Sequence, residues 1–186
     1  MTAAADALGV VRLGAAFVLP GALARAVGGQ GRWWPVLLFA VGAASDFLDG
    51  VLARRGHGAT RHGAVLDNLA DIAFVLAGTV AGATLGLVPR AVPVAIAVAF
   101  AAYAAASVRG REMARSAAGH TAGALNYALV GLIAGAAAMP GRAWPPLLAA
   151  AGWIVIGVNL AAVLPRLPFG TRRARRRGTR ARGLGT

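Results

Sequence analysis

The chain has 186 residues, 58% of them hydrophobic and 13% charged, with a mean hydropathy of +0.67. That is half the charge of an ordinary soluble domain, which excludes a conventional water-soluble globule. The formal charge of +13 comes wholly from arginine, and the absence of cysteine excludes disulfides and thiolate metal centres.

The apolar residues fall in runs close to the twenty or so residues that a helix needs to cross a bilayer. Six spans are predicted, at residues 8–27, 33–53, 63–87, 92–108, 122–139 and 144–164. The expected fold is all-α: one membrane bundle over residues 1–168, followed by an arginine-rich tail at 169–186, expected to be disordered. The first run has no basic segment before it and carries Arg12 within its first turns, so it reads as a retained helix rather than a cleaved signal. Pro35, Pro93 and the pair Pro145 and Pro146 stand near the starts of spans two, four and six, where proline is tolerated.

Placing both termini in the cytoplasm puts fifteen arginines on that side, Arg12 and seven tail arginines among them, and four outside. This is a positive-inside distribution, and it puts Trp33, Trp34 and Trp144 together at the outer interface. Next to a membrane bundle, the tail reads as an anchor for anionic headgroups rather than a nucleic-acid arm. Gly78, Gly82 and Gly86 on span three, with Gly131 and Gly135 on span five, have the spacing that lets helices approach closely. They fit a dimer seam and packing within one bundle equally well.

Only six acidic residues occur, and Asp46, Asp49, Asp67 and Asp71 lie within 26 consecutive positions. Asp46, Asp49 and Ala53 share a helical face, as do Gly63, Asp67 and Asp71 on the next span. The short connection between those spans makes them antiparallel neighbours, so four carboxylates converge if the faces oppose. Like charges at membrane depth repel and resist desolvation, and they require protonation or a cation. Hard divalent ions such as Mg2+ or Mn2+ suit carboxylate oxygens and share them with phosphates. Two such ions would clamp a pyrophosphate, and a remaining carboxylate would accept a proton from an attacking hydroxyl. Gly50, Ala53 and Gly63 leave room for a bulky ligand between the helices. Arg54 at the cytoplasmic mouth suits phosphate recognition, whereas Arg55 and Arg61 read as topology signals.

Residues 46–71 read D-F-L-D-G-V-L-A-R, eight residues, then G-A-V-L-D-N-L-A-D. This resembles the defining motif of the CDP-alcohol phosphatidyltransferases, D-x-x-D-G-x-x-A-R, a similar spacer, then G-x-x-x-D-x-x-x-D, with all eight fixed positions matched. The resemblance implies a magnesium- or manganese-dependent phospholipid-synthesising enzyme of the plasma membrane of a bacterium, with its site facing the cytoplasm. It implies that Asp46, Asp49 and Asp67 ligate metal, and that Asp71 is the general base and touches the second ion. Gly50, Ala53, Arg54, Thr60 and Gly63 would then form the CDP-binding surface, and a homodimer is expected. The reaction implied is attack of an alcohol hydroxyl on CDP-diacylglycerol with release of CMP.

Family members often read L-D-P-x-A-D-K in span three, where this chain has Leu66, Asp67, Asn68, Leu69, Ala70, Asp71 and Ile72. They also often carry Asn and Thr ahead of the span-one arginine, where this chain has Leu8, Gly9 and Val10. These departures spare the aspartates and leave the subfamily, and so the acceptor, open. The segment containing Arg109, Arg111, Glu112 and Arg115 resembles the Arg-Glu region of phosphatidylglycerophosphate synthases. Its arginines either bind a phosphate on an acceptor, such as glycerol 3-phosphate or an inositol phosphate, or simply set topology. His120, Thr121 and Asn126 are placed near the same cavity, although Asn126 also suits a bond between helices. A divalent-cation transporter and a non-catalytic protein of the same fold are the alternatives. The first would need acids deep in spans four to six, and the second would leave costly buried charges unused.

Overall fold

The computed structural model describes the backbone of residues 3–55, 61–108 and 117–164, with side-chain surroundings given for 7–48, 68–106, 119 and 121–164. Six helices follow one another: α1 (Ala3–Val27), α2 (Trp34–Arg55), α3 (Arg61–Thr84), α4 (Ala91–Val108), α5 (Ala117–Ala138) and α6 (Trp144–Val163). No strand occurs among the described residues. Among the described residues, three helices contain spans long and apolar enough to cross a membrane, Ala7–Val27, Thr121–Ala138 and Trp144–Val163, and Trp34–Leu48, Asn68–Thr84 and Ala91–Ala106 are shorter apolar stretches. The tail at 169–186 lies outside the described residues.

The helix ends follow local chemistry. At the end of α1, Gly29 adopts φ +83°, with Gln30 N–H donating to Arg25 O and Gly29 N–H to Ala26 O. Gly86 does the same after α3 at φ +73°, where Leu87 N–H donates to Gly82 O and Gly86 N–H to Ala83 O. These paired bonds satisfy carbonyls that the helix itself leaves open, and the left-handed residue they need is glycine. Pro20 sits inside α1 without ending it. Its missing N–H removes the bond that position 20 would otherwise donate to the Ala16 carbonyl.

Helix α1 is the hub, packed against α2, α3 and α5. In turn α3 packs on α4 and α5, while α6 packs on α4 and α5, and α2 packs on α5. Among the described residues, α2 and α3 meet where the Phe74 ring covers Gly42, and both pack on α1. Leu19, Leu23, Phe74, Leu129, Val130 and Ile133 are among the core side chains. The outer surface is apolar as well, with Phe17, Phe47, Val94 and Trp153 all exposed. With hydrocarbon on both sides of a helix, close packing rather than burial from water must hold the bundle together.

The glycine stripe serves that packing. A Cβ on Gly78 would stand 2.7 Å from Val130 Cγ1, and one on Gly82 would stand 2.8 Å from Ile133 Cδ1. Gly131 is filled by the Phe39 ring and Gly135 by Trp144. Four of the five glycines are thus occupied by neighbours in the same chain, and Gly86 is a turn residue. Gly42 is the tightest against a rigid group, since an added Cβ would lie 2.7 Å from Phe74 Cζ. Gly42→Ala is expected to cost about 1–3 kcal/mol through overpacking. Thermal unfolding in detergent checks this, and an unchanged midpoint would mean that Phe74 can move aside.

Candidate functional site

Five buried polar or charged residues are described: Arg12, Ser45, Thr79, Asn126 and Asn159. Thr79 bonds back to the Val75 carbonyl in its own helix at 2.8 Å. Asn126 of α5 and Asn159 of α6 bond to each other through both amides, with the Asn159 amide donating to Asn126 Oδ1 at 2.8 Å. Asn159 also donates to the Val155 carbonyl at 2.9 Å. Of the two roles open to Asn126, the structure shows the bond between helices. Such bonds contribute about 0.6 kcal/mol on average in a membrane bundle.

The remaining two, Arg12 and Ser45, define a polar centre where α1, α2, α3 and α5 come together. Arg12 projects from the first half of α1 and is fully buried. Its Nη1 is paired with Asp71 Oδ1 on α3, and its Nη2 lies 3.7 Å from Asp46 Oδ1 on α2. Its Nε donates to Ser45 Oγ at 3.3 Å, and the serine hydroxyl donates in turn to the Gly42 carbonyl at 2.8 Å. The Tyr127 hydroxyl, from α5, donates to the same Asp71 Oδ1 at 2.9 Å. A planar guanidinium with a fixed fork of donors suits this task, since it can meet several acceptors from different helices at once. The cost of desolvating an arginine in a bundle is offset by two carboxylates that need a counter-charge as much as it does.

The carboxylates themselves are not sealed. The side chain of Asp46 is 49% exposed and that of Asp71 is 29% exposed, against 0% for Arg12. The aspartates are therefore partly accessible, whereas the arginine that joins them is enclosed. Two of the four expected acids are brought together in this way. Asp49, Gly50, Ala53 and Arg54 fall within α2, and Gly63 and Asp67 within α3, as the motif requires. Their surroundings, with Thr60, Arg109, Arg111 and Arg115, lie outside the described residues. Among the described residues alone, no group of three or more metal-ligating side chains occurs. The donor chemistry present nonetheless suits a hard divalent cation. Accessible carboxylates on two helices present oxygen ligands, and oxygen is what magnesium and manganese prefer.

Arg12, Ser45 and Tyr127 belong to this centre although the sequence does not assign them to the site. In the sequence Arg12 counts toward the positive-inside distribution and marks the first span, with no role in the chemistry. An arginine within an apolar run, in a chain with four clustered aspartates, was itself the signal that a buried ion pair was needed. Tyr127 carried no such signal, because its role depends on how α5 docks against α3.

No curated protein and no solved structure matches the chain. A model of the family described as CDP-alcohol phosphatidyltransferase matches residues 2–164, the stretch that contains all six helices. This family comprises transferases of phospholipid biosynthesis that move a phosphatidyl group from a CDP-alcohol to an alcohol acceptor and generally use divalent metal ions. With three membrane-length apolar spans and the family's motif intact around Asp46 and Asp71, the chain is an integral membrane protein that belongs to the CDP-alcohol phosphatidyltransferase family.

Proposed function

We propose that the protein transfers the phosphatidyl group of CDP-diacylglycerol to a small phosphorylated alcohol, such as glycerol 3-phosphate or an inositol phosphate, and releases CMP. The observation that carries this reading is the convergence of Asp46 and Asp71 from two helices on one buried guanidinium, with both carboxylates partly exposed. Asp46, Asp49 and Asp67 would hold a divalent cation, and Asp71 would also border a second. Such ions, magnesium or manganese, supply the positive charge that a pyrophosphate needs for displacement.

The chain's own residues do the rest. Arg54, with Gly50, Ala53, Thr60 and Gly63, receives the cytidine diphosphate moiety. The small residues leave space for it, and the arginine meets its phosphates. The acceptor hydroxyl gives its proton to Asp71 as its oxygen bonds to the phosphorus that carries the diacylglycerol. The bond from that phosphorus to the CMP phosphate breaks on the opposite side, and CMP leaves. Arg12 keeps compensating charge behind the carboxylates throughout. The membrane arrangement we infer has six spans, with both termini and the site on the cytoplasmic side, supported by the arginine distribution. A homodimer is part of the reading through the family resemblance, with its seam elsewhere than at the Gly78, Gly82, Gly131 and Gly135 stripe.

An assay of purified protein with CDP-diacylglycerol, Mg2+ or Mn2+ and a panel of alcohols, following CMP, tests the proposal. CMP that appears with one acceptor and stops on chelation supports it. No CMP with any acceptor, while divalent ions are bound or carried across vesicles, would favour a cation transporter instead. Within the same assay, Arg111→Ala is expected to raise the KM for a phosphorylated acceptor about tenfold, the value of one lost charge-assisted hydrogen bond. The KM for the lipid donor should change much less. An unchanged acceptor KM would return this segment to a purely topological role.

A further inference from the structure

Asp71 can serve as proton acceptor only if its carboxylate is held in one orientation, and the structure shows what holds it. Oδ1 receives two donors from two different helices, the Arg12 guanidinium from α1 and the Tyr127 hydroxyl from α5. A carboxylate oxygen offers about two lone-pair sites, so both sites of Oδ1 are engaged. Rotation of the carboxylate would break both bonds together. The orientation of the carboxylate toward a substrate hydroxyl is therefore tied to these two donors.

Tyr127 is itself fixed. Its ring stacks on Phe74, with centroids 5.8 Å apart and planes at 22°. Phe74 is fully buried and backed by Gly42, which has no room to let it retreat. The chain of contacts therefore runs from α2 through Phe74 to Tyr127, and from Tyr127 to the reacting carboxylate. A phenylalanine at position 127 would pack equally well against Phe74, so packing alone does not call for the hydroxyl.

We propose that Tyr127 is a positioning residue for phosphatidyl transfer, its hydroxyl acting with Arg12 to hold the Asp71 carboxylate in the orientation in which it meets the acceptor hydroxyl. This inference rests on the assignment of Asp71 as proton acceptor. It assigns to α5 a part in the chemistry, although the matched motif lies wholly on α2 and α3.

The test is Tyr127→Phe, which keeps the ring and removes only the hydroxyl. The expected result is a fall in kcat of roughly tenfold to a hundredfold, the usual effect of losing a group that orients a reacting one. The KM values for donor and acceptor, the metal concentration for half-activity and the thermal midpoint should stay within about twofold or a few degrees of the parent. Added to Asp71→Asn, Tyr127→Phe should lower the residual rate no further, because no proton acceptor remains to be aimed. An unchanged kcat would overturn the proposal, as would an equal fall with and without Asp71→Asn. A large drop in thermal midpoint, with loss of the stabilisation given by CDP-diacylglycerol, would assign the tyrosine to structure alone and also overturn it. These outcomes are separate from failure of the underlying reading, in which Asp71→Asn by itself would retain near-normal turnover.

Discussion

Asp71→Asn is expected to lower turnover by about 10²–10⁴, the contribution of a positioned general base, while leaving CDP-diacylglycerol binding largely intact. The substitution is nearly isosteric. Its amide oxygen can still accept from Arg12 and Tyr127, so the four-helix junction around Asp71 keeps its geometry. What is lost is the capacity to take a proton from the acceptor. CMP formation at saturating substrate measures the loss, and the rise in thermal midpoint on adding CDP-diacylglycerol measures binding. Turnover within tenfold of the parent would remove Asp71 as the proton acceptor. Loss of donor binding together with activity would make it chiefly a ligand of the metal that the donor needs.

Arg12→Met is expected to be the most destabilising single change in the bundle. Arg12 is fully buried, and it reaches Asp71, Asp46 and Ser45 through three different nitrogens. Methionine fills part of the volume but removes the positive charge that pairs with Asp71 and lies beside Asp46. Breaking a buried pair in this way costs about 3–5 kcal/mol. The loss should be larger in a chelator than in millimolar magnesium, because a bound divalent ion supplies some of the missing positive charge. Arg12→Lys should recover only part of the loss, since a single ammonium cannot replace a fork that spans three helices. Thermal unfolding in detergent, with and without the metal, measures both effects. A midpoint equal to the parent's in the chelator would show that the carboxylates do not depend on Arg12.

Much of the architecture was legible in the sequence because it rests on short-range rules. The predicted spans at 33–53, 92–108 and 144–164 agree with α2, α4 and α6 to within two residues at either end. Apolar runs, prolines at helix starts and glycines at helix ends set those limits. The span predicted at 63–87 ran past the end of α3, because Leu85 and Leu87 extend the apolar run while Gly86 turns the chain. The stripe of Gly78, Gly82, Gly131 and Gly135 could not be assigned from spacing alone. Which surface a glycine admits depends on the partner helix, and here the partners are α5, α2 and α6 of the same chain.

The site divides along the same line. Asp46 and Asp71 were legible because motif spacing and helical periodicity are both local. That clustered aspartates require protonation or a cation was also legible, from the cost of burying like charges. That Arg12 supplies positive charge to Asp46 and Asp71 was not, because it depends on α1 lying against both α2 and α3. Tyr127 needed one step more, since α5 must also dock on α3 to bring its hydroxyl to the same oxygen.

Phosphatidyl transfer is tested most directly by a mass balance. Purified protein in lipid vesicles, given CDP-diacylglycerol, magnesium and an acceptor that supports turnover, should produce CMP and a new phospholipid in equal amounts. Both should cease with a chelator and resume when the metal is restored. CMP without a new phospholipid, or no CMP while divalent ions cross the vesicle membrane, would contradict the account.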